Sequence, residues 1–247
     1  MRGLVSHCLP DWNKVGAILA VMFLALSLGG CSAGTSGSSP GTTPSPFDVR
    51  VGLPEPKLGG DMSLEAALFK RRSARDYSGE ALRLVEVSQL LWAGQGITSE
   101  LGGRTAPSAG GLYPLTIYLA AGAVTDLAPG AYKYDPDRHE LSKVKGGDLR
   151  NAIAAASLDQ PWVKNCAASL VLSANYEKTT AKYGDRGIRY VQLEAGHVAQ
   201  NICLQATALN LGAVTVGAFD DARIKEILGI PANESPLYII PIGRVGD

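Results

Sequence analysis

The first predicted helix is followed by a basic cluster whose side chains could bind an anion. Arg71, Arg72, Ser73 and Arg75 make up this cluster. Arginine guanidinium groups bind phosphate through paired hydrogen bonds, and a serine hydroxyl can donate one more. Cations at the end of a helix also complement its dipole, which alone could account for two of these residues. The cluster therefore predicts either a phosphate-binding site or a charge-stabilised helix end.

A loop of small residues follows Arg104 and offers a second place where a ligand could lie. It contains Pro107, Ser108 and Ala109, followed by two glycines. Small side chains allow the backbone to approach a flat ring system closely, although the same composition also suits a simple turn. Arg104 could bring a further guanidinium group to an anionic ligand beside this loop.

Several common catalytic chemistries lack their sequence signatures here. The chain has no GxxxxGK[ST] phosphate loop, no GxSxG nucleophile elbow and no HExxH zinc motif. His139 lies at a predicted hairpin turn and is expected at the surface. His197 shares a helix face with Glu194 and Asn201, three residues before it and four after it. That face predicts either the wall of a polar site or a hydrogen-bonded stripe at a helix or subunit contact.

The overall composition is that of a chain able to fold, without a sign of a nucleic-acid partner. Among 247 residues, 23 are basic, 23 are acidic and 46% are hydrophobic. A zero net charge provides no electrostatic attraction to a phosphate backbone. Of the four cysteines, Cys166 and Cys203 match no metal-binding spacing and are expected in the core, with a single disulfide between them left open.

The N-terminal segment has the pattern of an export signal. Arg2 and Lys14 flank an apolar run over residues 15–30, which is shorter than the roughly 20 residues of a membrane-spanning helix and precedes Cys31. The sequence Leu-Gly-Gly-Cys resembles a bacterial lipobox. That resemblance implies cleavage before Cys31, lipidation of this cysteine and attachment of the exported protein to the cell envelope. An uncleaved signal anchor is the alternative.

The chain divides into three expected parts, of which the last is one folded domain. Residues 1–30 form the signal peptide, residues 31–60 form the lipidated cysteine with a tether rich in glycine, proline, serine and threonine, and residues 61–247 form the domain. Hydrophobic periodicity predicts helices over 63–73, 84–93, 148–156, 188–209 and 221–228, and strands over 116–121, 130–134, 141–144, 167–174, 213–218 and 237–242. This mixed order, with a hairpin and without regular βαβ alternation, predicts an α+β fold.

Several stretches in this domain, in this order, resemble the nitroreductase-like flavoproteins and most closely their SagB-type dehydrogenase branch. They read RRSARDY at 71–77, LLWAGQGI at 90–97, PSAGGLYP at 107–114, EAGHVAQN at 194–201 and LGAVTVGAF at 211–219. The resemblance implies a sandwich with helices on both sides of a mixed, mainly antiparallel sheet. It also implies a homodimer that joins through its long central helices, with one FMN at each subunit interface.

The same resemblance implies roles for individual residues. The ribityl and phosphate end of FMN would be held by Arg71, Arg72, Ser73 and Arg75, with a further phosphate contact from Arg244 after the last strand. The isoalloxazine ring would lie by Pro107, Ser108 and Ala109 of the other subunit, and backbone groups of Val216, Gly217 and Ala218 would approach its pyrimidine edge. A loop without bulky side chains would leave the ring face open to a substrate.

Lys182 and Tyr183 resemble a Lys-Tyr pair of the azoline-oxidising members of that branch and are the expected catalytic residues. A lysine can act as a base and a neighbouring tyrosine can relay a proton. The alternative is a solvated lysine beside a packing tyrosine.

The resemblance thus implies an FMN-dependent oxidoreductase that transfers hydride equivalents at flavin N5 to or from a small organic substrate, with the electron donor open. The alternative is a non-catalytic lipoprotein that binds flavin or another ligand with the same fold, because a fold does not fix a function.

Overall fold

The structure is a computed structural model that describes residues 49–246. The expected signal peptide, Cys31 and the first part of the expected tether therefore lie outside the described residues. None of the helices within 49–246 is both long and apolar enough to cross a membrane.

Seven strands and seven helices follow one another irregularly along residues 49–246. The strands are β1 Arg50–Gly52, β2 Leu115–Ala121, β3 Gly130–Asp135, β4 Glu140–Gly146, β5 Ala168–Ala174, β6 Leu211–Ala213 and β7 Ser235–Arg244. The helices are α1 Leu64–Lys70, α2 Leu84–Gln95, α3 Arg150–Ala156, α4 Pro161–Asn165, α5 Glu177–Tyr183, α6 Arg186–Ala208 and α7 Asp221–Leu228. The strands form one sheet in the order β1-β4-β3-β2-β5-β7-β6, with antiparallel pairing between these neighbours. This confirms the predicted α+β fold.

Helices cover both faces of the sheet because its inner strands are apolar on both sides. Along β2, Ile117 and Leu119 join the core on the face covered by α2 and α6, whereas Tyr118 joins the core on the face covered by α3, α4 and α7. Successive strand residues point to opposite faces, so this one strand contributes to two cores. The architecture is the predicted sandwich of helices around a sheet.

The long central helix is confirmed as α6, which spans 23 residues. Its buried positions recur every three or four residues, which places one apolar stripe against the sheet. These positions include Val191, Ala195, Val198, Ile202 and Ala206. The helix ends at Ala208, and the chain turns at Asn210, which has a positive φ of 56°. The observed C-terminal end therefore lies within one residue of the predicted end at 209.

The folded part begins earlier than the expected boundary at residue 61. Arg50–Gly52 forms β1 at the edge of the sheet, paired with β4. The backbone of Lys57 is held by the amide of Gln89, with hydrogen bonds of 2.8 and 3.0 Å. Residues 50–57 thus pack on the domain instead of serving as a free tether. A three-residue strand is too short to show periodicity in the sequence.

The strand expected over 213–218 is replaced by a shorter strand and an irregular segment. Pairing of β6 with β7 covers Leu211–Ala213, and after it Val216 forms an isolated bridge with Ile239. Periodicity also did not indicate α4 and α5, which have five and seven residues. Helices this short are stabilised by tertiary packing, so a local pattern alone does not reveal them.

His139 is a structural residue, and the expectation that it lies at the surface was wrong. Its Nε2 lies 2.7 Å from Ser88 Oγ and 3.0 Å from the carbonyl oxygen of Pro54, and its Nδ1 lies 2.9 Å from Tyr134 Oη. The ring thereby ties the β3-β4 hairpin to α2 and to the segment after β1.

The two cysteines of the domain, Cys166 and Cys203, are buried free thiols. The disulfide that the sequence left open is therefore not formed. Burial raises the pKa of both thiols, so they are poor nucleophiles.

Candidate functional site

The arginine cluster lies where the chain leaves α1 and runs beside β6. Ser73 bridges to Ala213, and the backbone N–H of Ala74 donates to the carbonyl of Ala213 at 3.1 Å. The basic segment therefore lies beside β6, the strand that leads into residues 214–218. The resemblance implies that these two segments bind opposite ends of one cofactor.

The cations of this cluster are not neutralised by carboxylates of residues 49–246. Arg72 Nη1 donates to the carbonyl oxygens of Phe69 and Arg71, both at 2.8 Å. The guanidinium group of Arg75 lies 5.3 Å from the centre of the Trp162 ring. Arg71, Arg72 and Arg75 form no ion pair within this part of the chain. Their positive charge is thus available to an anionic ligand.

The segment after β6 offers fewer backbone groups than the sequence suggested. Both the N–H and the carbonyl of Val216 pair with Ile239, at 2.8 and 2.9 Å. The N–H of Val216 is therefore not free for a flavin ring. Gly217 and Ala218 are exposed, although the carbonyl of Ala218 accepts a hydrogen bond from Gln160 at 3.2 Å. Predicted contacts from a backbone N–H are thus left to these two residues.

Arg244 differs from the arginines of the cluster because its charge is already paired. Its Nη2 lies 3.1 Å from both carboxylate oxygens of Glu86, and its Nε lies 3.4 Å from Glu80. Burial alone would raise the pKa of Glu86, but hydrogen bonds from Arg83 and Arg244 hold that pKa below its ordinary value. The structure thus places the Arg244 guanidinium against α2 and not with the free cations.

The loop of small residues is fixed to α6 by two polar side chains. Ser108 Oγ donates to Glu194 Oε2 at 2.5 Å and accepts from the backbone N–H of Tyr113 at 2.9 Å. The amide of Asn201 donates to the carbonyl of Thr105 at 3.1 Å. The polar face predicted from the sequence is therefore a support for this loop. His197 on the same helix is exposed and takes no part in it.

Glu194 is the most buried carboxylate next to the loop, with 3% of its surface exposed. Burial raises its pKa, while the hydrogen bond from Ser108 and the charge of Arg104 act in the opposite direction. The side-chain amide of Gln95 also acts to lower this pKa, but it forms no well-aligned hydrogen bond with Oε1. A buried carboxylate with so few hydrogen bonds favours the protonated form.

Replacing Glu194 with glutamine is expected to flatten the pH dependence of stability. A raised pKa in the folded state means that the folded protein binds the proton more tightly than the unfolded chain. The free energy of unfolding therefore falls as the pH rises through that raised pKa, and a neutral glutamine removes this fall. Urea denaturation at a series of pH values, with the exposed Glu177→Gln as control, checks the difference. Equal pH slopes for Glu194→Gln and the wild type would contradict it.

Lys182 and Tyr183 converge on the same loop from α5. Gly110 has a φ of 64°, and a Cβ atom at this position would lie 2.7 Å from Tyr183 Oη and 2.9 Å from Lys182 Nζ. The tyrosine ring also packs edge-on against Tyr190, with 5.2 Å between the ring centres. The structure thus brings the expected catalytic pair within contact of the loop that carries Ser108, Ala109 and the exposed Pro107.

One chain does not bring the loop and the arginine cluster together. The loop is attached at Glu194 and Asn201 in the middle of α6, whereas the cluster lies beside β6, beyond the end of this helix. Along the axis of α6, the end of the helix lies about 20 Å from Glu194 and about 10 Å from Asn201. The candidate site is therefore present as two halves that lie at different positions along α6.

Residues 68–244 match the nitroreductase family. A nitroreductase relative from Methanocaldococcus jannaschii is 47% identical over 184 residues, which cover 74% of this chain and 92% of that protein. A nitroreductase structure from Anabaena variabilis is 32% identical with a TM-score of 0.72, over 81% of this chain and 42% of that one. An NADPH-flavin oxidoreductase from Vibrio harveyi is 28% identical over 112 residues, 42% of this chain and 47% of that protein.

Proposed function

We propose that this chain, which belongs to the nitroreductase family, is an FMN-dependent oxidoreductase that exchanges hydride equivalents with a small organic substrate. The observation that carries the proposal is the unpaired arginine cluster beside β6, the strand that leads into the exposed Gly217 and Ala218. Guanidinium groups without carboxylate partners suit a phosphate dianion, and exposed backbone groups nearby suit the polar edge of a ring.

The residues present fit FMN at the phosphate end. Arg71, Ser73 and Arg75 would hold the phosphate and ribityl groups, while Arg72 is already bonded to nearby carbonyl oxygens through one nitrogen. Arg244 would instead tie the end of β7 to α2 through Glu86 and leave the phosphate to the cluster.

A second copy of this chain would complete the site. The proposal rests on the two positions of the halves along α6 and on exposed apolar side chains of α1 and α6. These side chains are Leu64, Leu68 and Phe69 on α1 and Ile188 and Leu193 on α6. Packing two long helices antiparallel would bring the loop of one subunit to the arginines of the other. Burying these side chains would also remove apolar surface from water.

The variant Leu193→Glu is expected to prevent this association, because it places a charge in the middle of the helix contact. Sedimentation velocity should show a dimer for the wild type and a monomer for the variant. A monomeric wild type would contradict the proposed dimer.

In the proposed reaction the protein orients the substrate and controls a proton. A bound flavin supplies two-electron hydride chemistry at N5. Ser108, held by Glu194, would fix the loop against the ring, and Lys182 with Tyr183 would hold or deliver a proton at the substrate. We propose this proton role because Lys182 and Tyr183 resemble the Lys-Tyr pair of azoline-oxidising SagB-type dehydrogenases.

Anaerobic reduction of the FMN-loaded protein tests the proposed activity. We expect a cellular hydride donor such as NADH or NADPH to bleach the flavin band, and a nitroarene or quinone to restore it. Bound FMN that only dithionite reduces would instead favour a flavin-binding protein without catalysis.

We also propose that the protein is exported and anchored to the cell envelope by a lipid on Cys31. The support is the sequence pattern of residues 1–31. Cys31→Ala is expected to abolish incorporation of labelled fatty acid into the protein, because the thiol that carries the lipid is gone. Metabolic labelling with Ser32→Ala as control measures this. A wild-type protein that takes up no label while it stays in the membrane fraction would contradict lipidation and favour an uncleaved anchor.

A further inference from the structure

We infer that a cleft beside the loop of small residues binds a carboxylate group, so that carboxylate-bearing small molecules are the preferred substrates. For its catalytic consequence this inference rests on the proposed function, whereas the binding itself does not require flavin. The cleft has a volume of about 390 Å³, which lies in the range of small-molecule sites. Its polar lining includes Gln95, Arg104, Tyr113, Lys133 and Lys178.

The cleft opens where two strands of the sheet part. β2 and β3 pair from Ala121 and Gly130 to Tyr118 and Lys133, where the pairing stops. Residues 115–117 of β2 then form one wall and residues 134–137 form the other. The first wall stays rigid because β2 remains paired with β5 over its whole length. The opening is thus built into the sheet and does not depend on a mobile loop.

Arg104 is held in a fixed orientation at this cleft. Its guanidinium group lies 4.4 Å from the centre of the Tyr113 ring, and its Nη1 donates to the side-chain oxygen of Gln95 at 2.7 Å. Its Nε is buried without a partner within residues 49–246. An ordered guanidinium group with unused donor capacity is suited to a carboxylate, which it can bind through two hydrogen bonds.

The charges of the cleft are divided between its two sides. Lys178 on α5 and Arg104 beside the loop provide cations, and Lys178 forms no ion pair among residues 49–246. Asp135 and Asp137 belong to the β3-β4 hairpin, accompanied there by Lys133. The lining therefore carries three cationic side chains and two anionic ones. A carboxylate is therefore favoured between Arg104 and Lys178, away from the acidic hairpin.

Lys178, which lines the cleft, lies on the same face of α5 as Lys182 of the expected catalytic pair. Lys178 and Lys182 are four residues apart on α5, which corresponds to about 6 Å along the helix axis. Lys182 Nζ in turn lies against Gly110 of the loop. A small molecule whose carboxylate sits between Arg104 and Lys178 would thus extend its other end toward Lys182 and the loop.

Calorimetric titration of the purified protein with benzoate and with benzyl alcohol tests this inference, because the two probes differ in charge but hardly in shape. We expect benzoate to bind and benzyl alcohol to bind at least about tenfold more weakly, which is typical of losing a charge-assisted contact. The exposed Lys178→Gln should weaken benzoate binding about two- to fivefold, as for a solvent-accessible ion pair. Lys164→Gln on α4, which also removes an exposed lysine, is the matched control and should change nothing.

Equal affinities for the two probes, or unchanged benzoate affinity in Lys178→Gln, would overturn the inference. Because Lys178 is exposed, its variant does not threaten the fold. In turnover, 4-nitrobenzoate should show a lower KM than 4-nitrobenzyl alcohol, and Lys178→Gln should reduce that difference without a matching change in kcat. A benzoate preference in a protein that never binds FMN would reject the proposed function and leave the carboxylate site standing.

Discussion

Alanine in place of Arg71 or Arg75 is expected to weaken FMN binding by about 10- to 150-fold, the effect of losing one charge-assisted hydrogen bond. Both guanidinium groups lack a carboxylate partner within residues 49–246, so their removal breaks no ion pair there. The loss should therefore be seen in cofactor affinity and hardly in the stability of the unloaded protein. Quenching of flavin fluorescence during titration measures the affinity, and thermal unfolding measures the stability.

Arg138→Ala is a suitable control for these variants. Arg138 is an exposed arginine of the β3-β4 hairpin whose nearest carboxylate, Glu140, lies 3.6 Å away. Its removal lowers the net charge by the same amount but should leave FMN affinity unchanged. If Arg71→Ala and Arg75→Ala bind FMN as tightly as Arg138→Ala does, these residues do not hold the phosphate.

Gly110→Ala is expected to lower turnover at least about tenfold while FMN stays bound. The new Cβ would meet Tyr183 Oη at 2.7 Å and Lys182 Nζ at 2.9 Å, so both side-chain ends must move. General acid-base groups contribute about 100-fold or more to a rate, and displacing them forfeits part of that contribution. Steady-state kinetics together with the spectrum of the bound flavin separates lost turnover from lost cofactor.

Gly111→Ala provides the matched comparison for this variant. Gly111 has a φ of 65°, close to the 64° of Gly110, but nothing lies within 4 Å of the position of its Cβ. An alanine therefore carries similar backbone strain at both positions, about 1–2 kcal/mol, and only the one at Gly110 displaces the pair. Equal turnover in the two variants would indicate that Lys182 and Tyr183 take no part in catalysis.

The elements that the sequence predicted best carry their own local signals. The bounds of α7 agree with the prediction because Asp220 caps its first turn and Gly229 ends it with a φ of 66°. The long stripe of α6 was equally clear, since apolar residues that recur every three or four positions over more than twenty residues are typical of a helix and not of a strand. For the candidate site, the sequence indicated the arginine cluster, the loop and the Lys-Tyr pair, and the structure places the last two in contact.

The features that escaped prediction depend on distant partners. Whether Arg244 is free or paired depends on Glu86, which lies 158 residues earlier in the chain. His139 is held by Ser88 and Pro54, also far away in sequence. The family resemblance implied a ligand contact for the backbone of Val216, and its pairing with Ile239 leaves no trace in local composition. Such contacts follow from the tertiary fold and are not encoded in any local pattern.

The most direct measurement of the central claim is the visible spectrum of the protein after incubation with FMN and gel filtration. We expect stoichiometric FMN to elute with the protein and to show the absorption bands of an oxidised flavin. The double variant Arg71→Ala/Arg75→Ala, treated in the same way, should elute colourless. A wild-type protein that elutes without flavin while all the FMN appears in the small-molecule fraction would contradict the proposed flavin-dependent function.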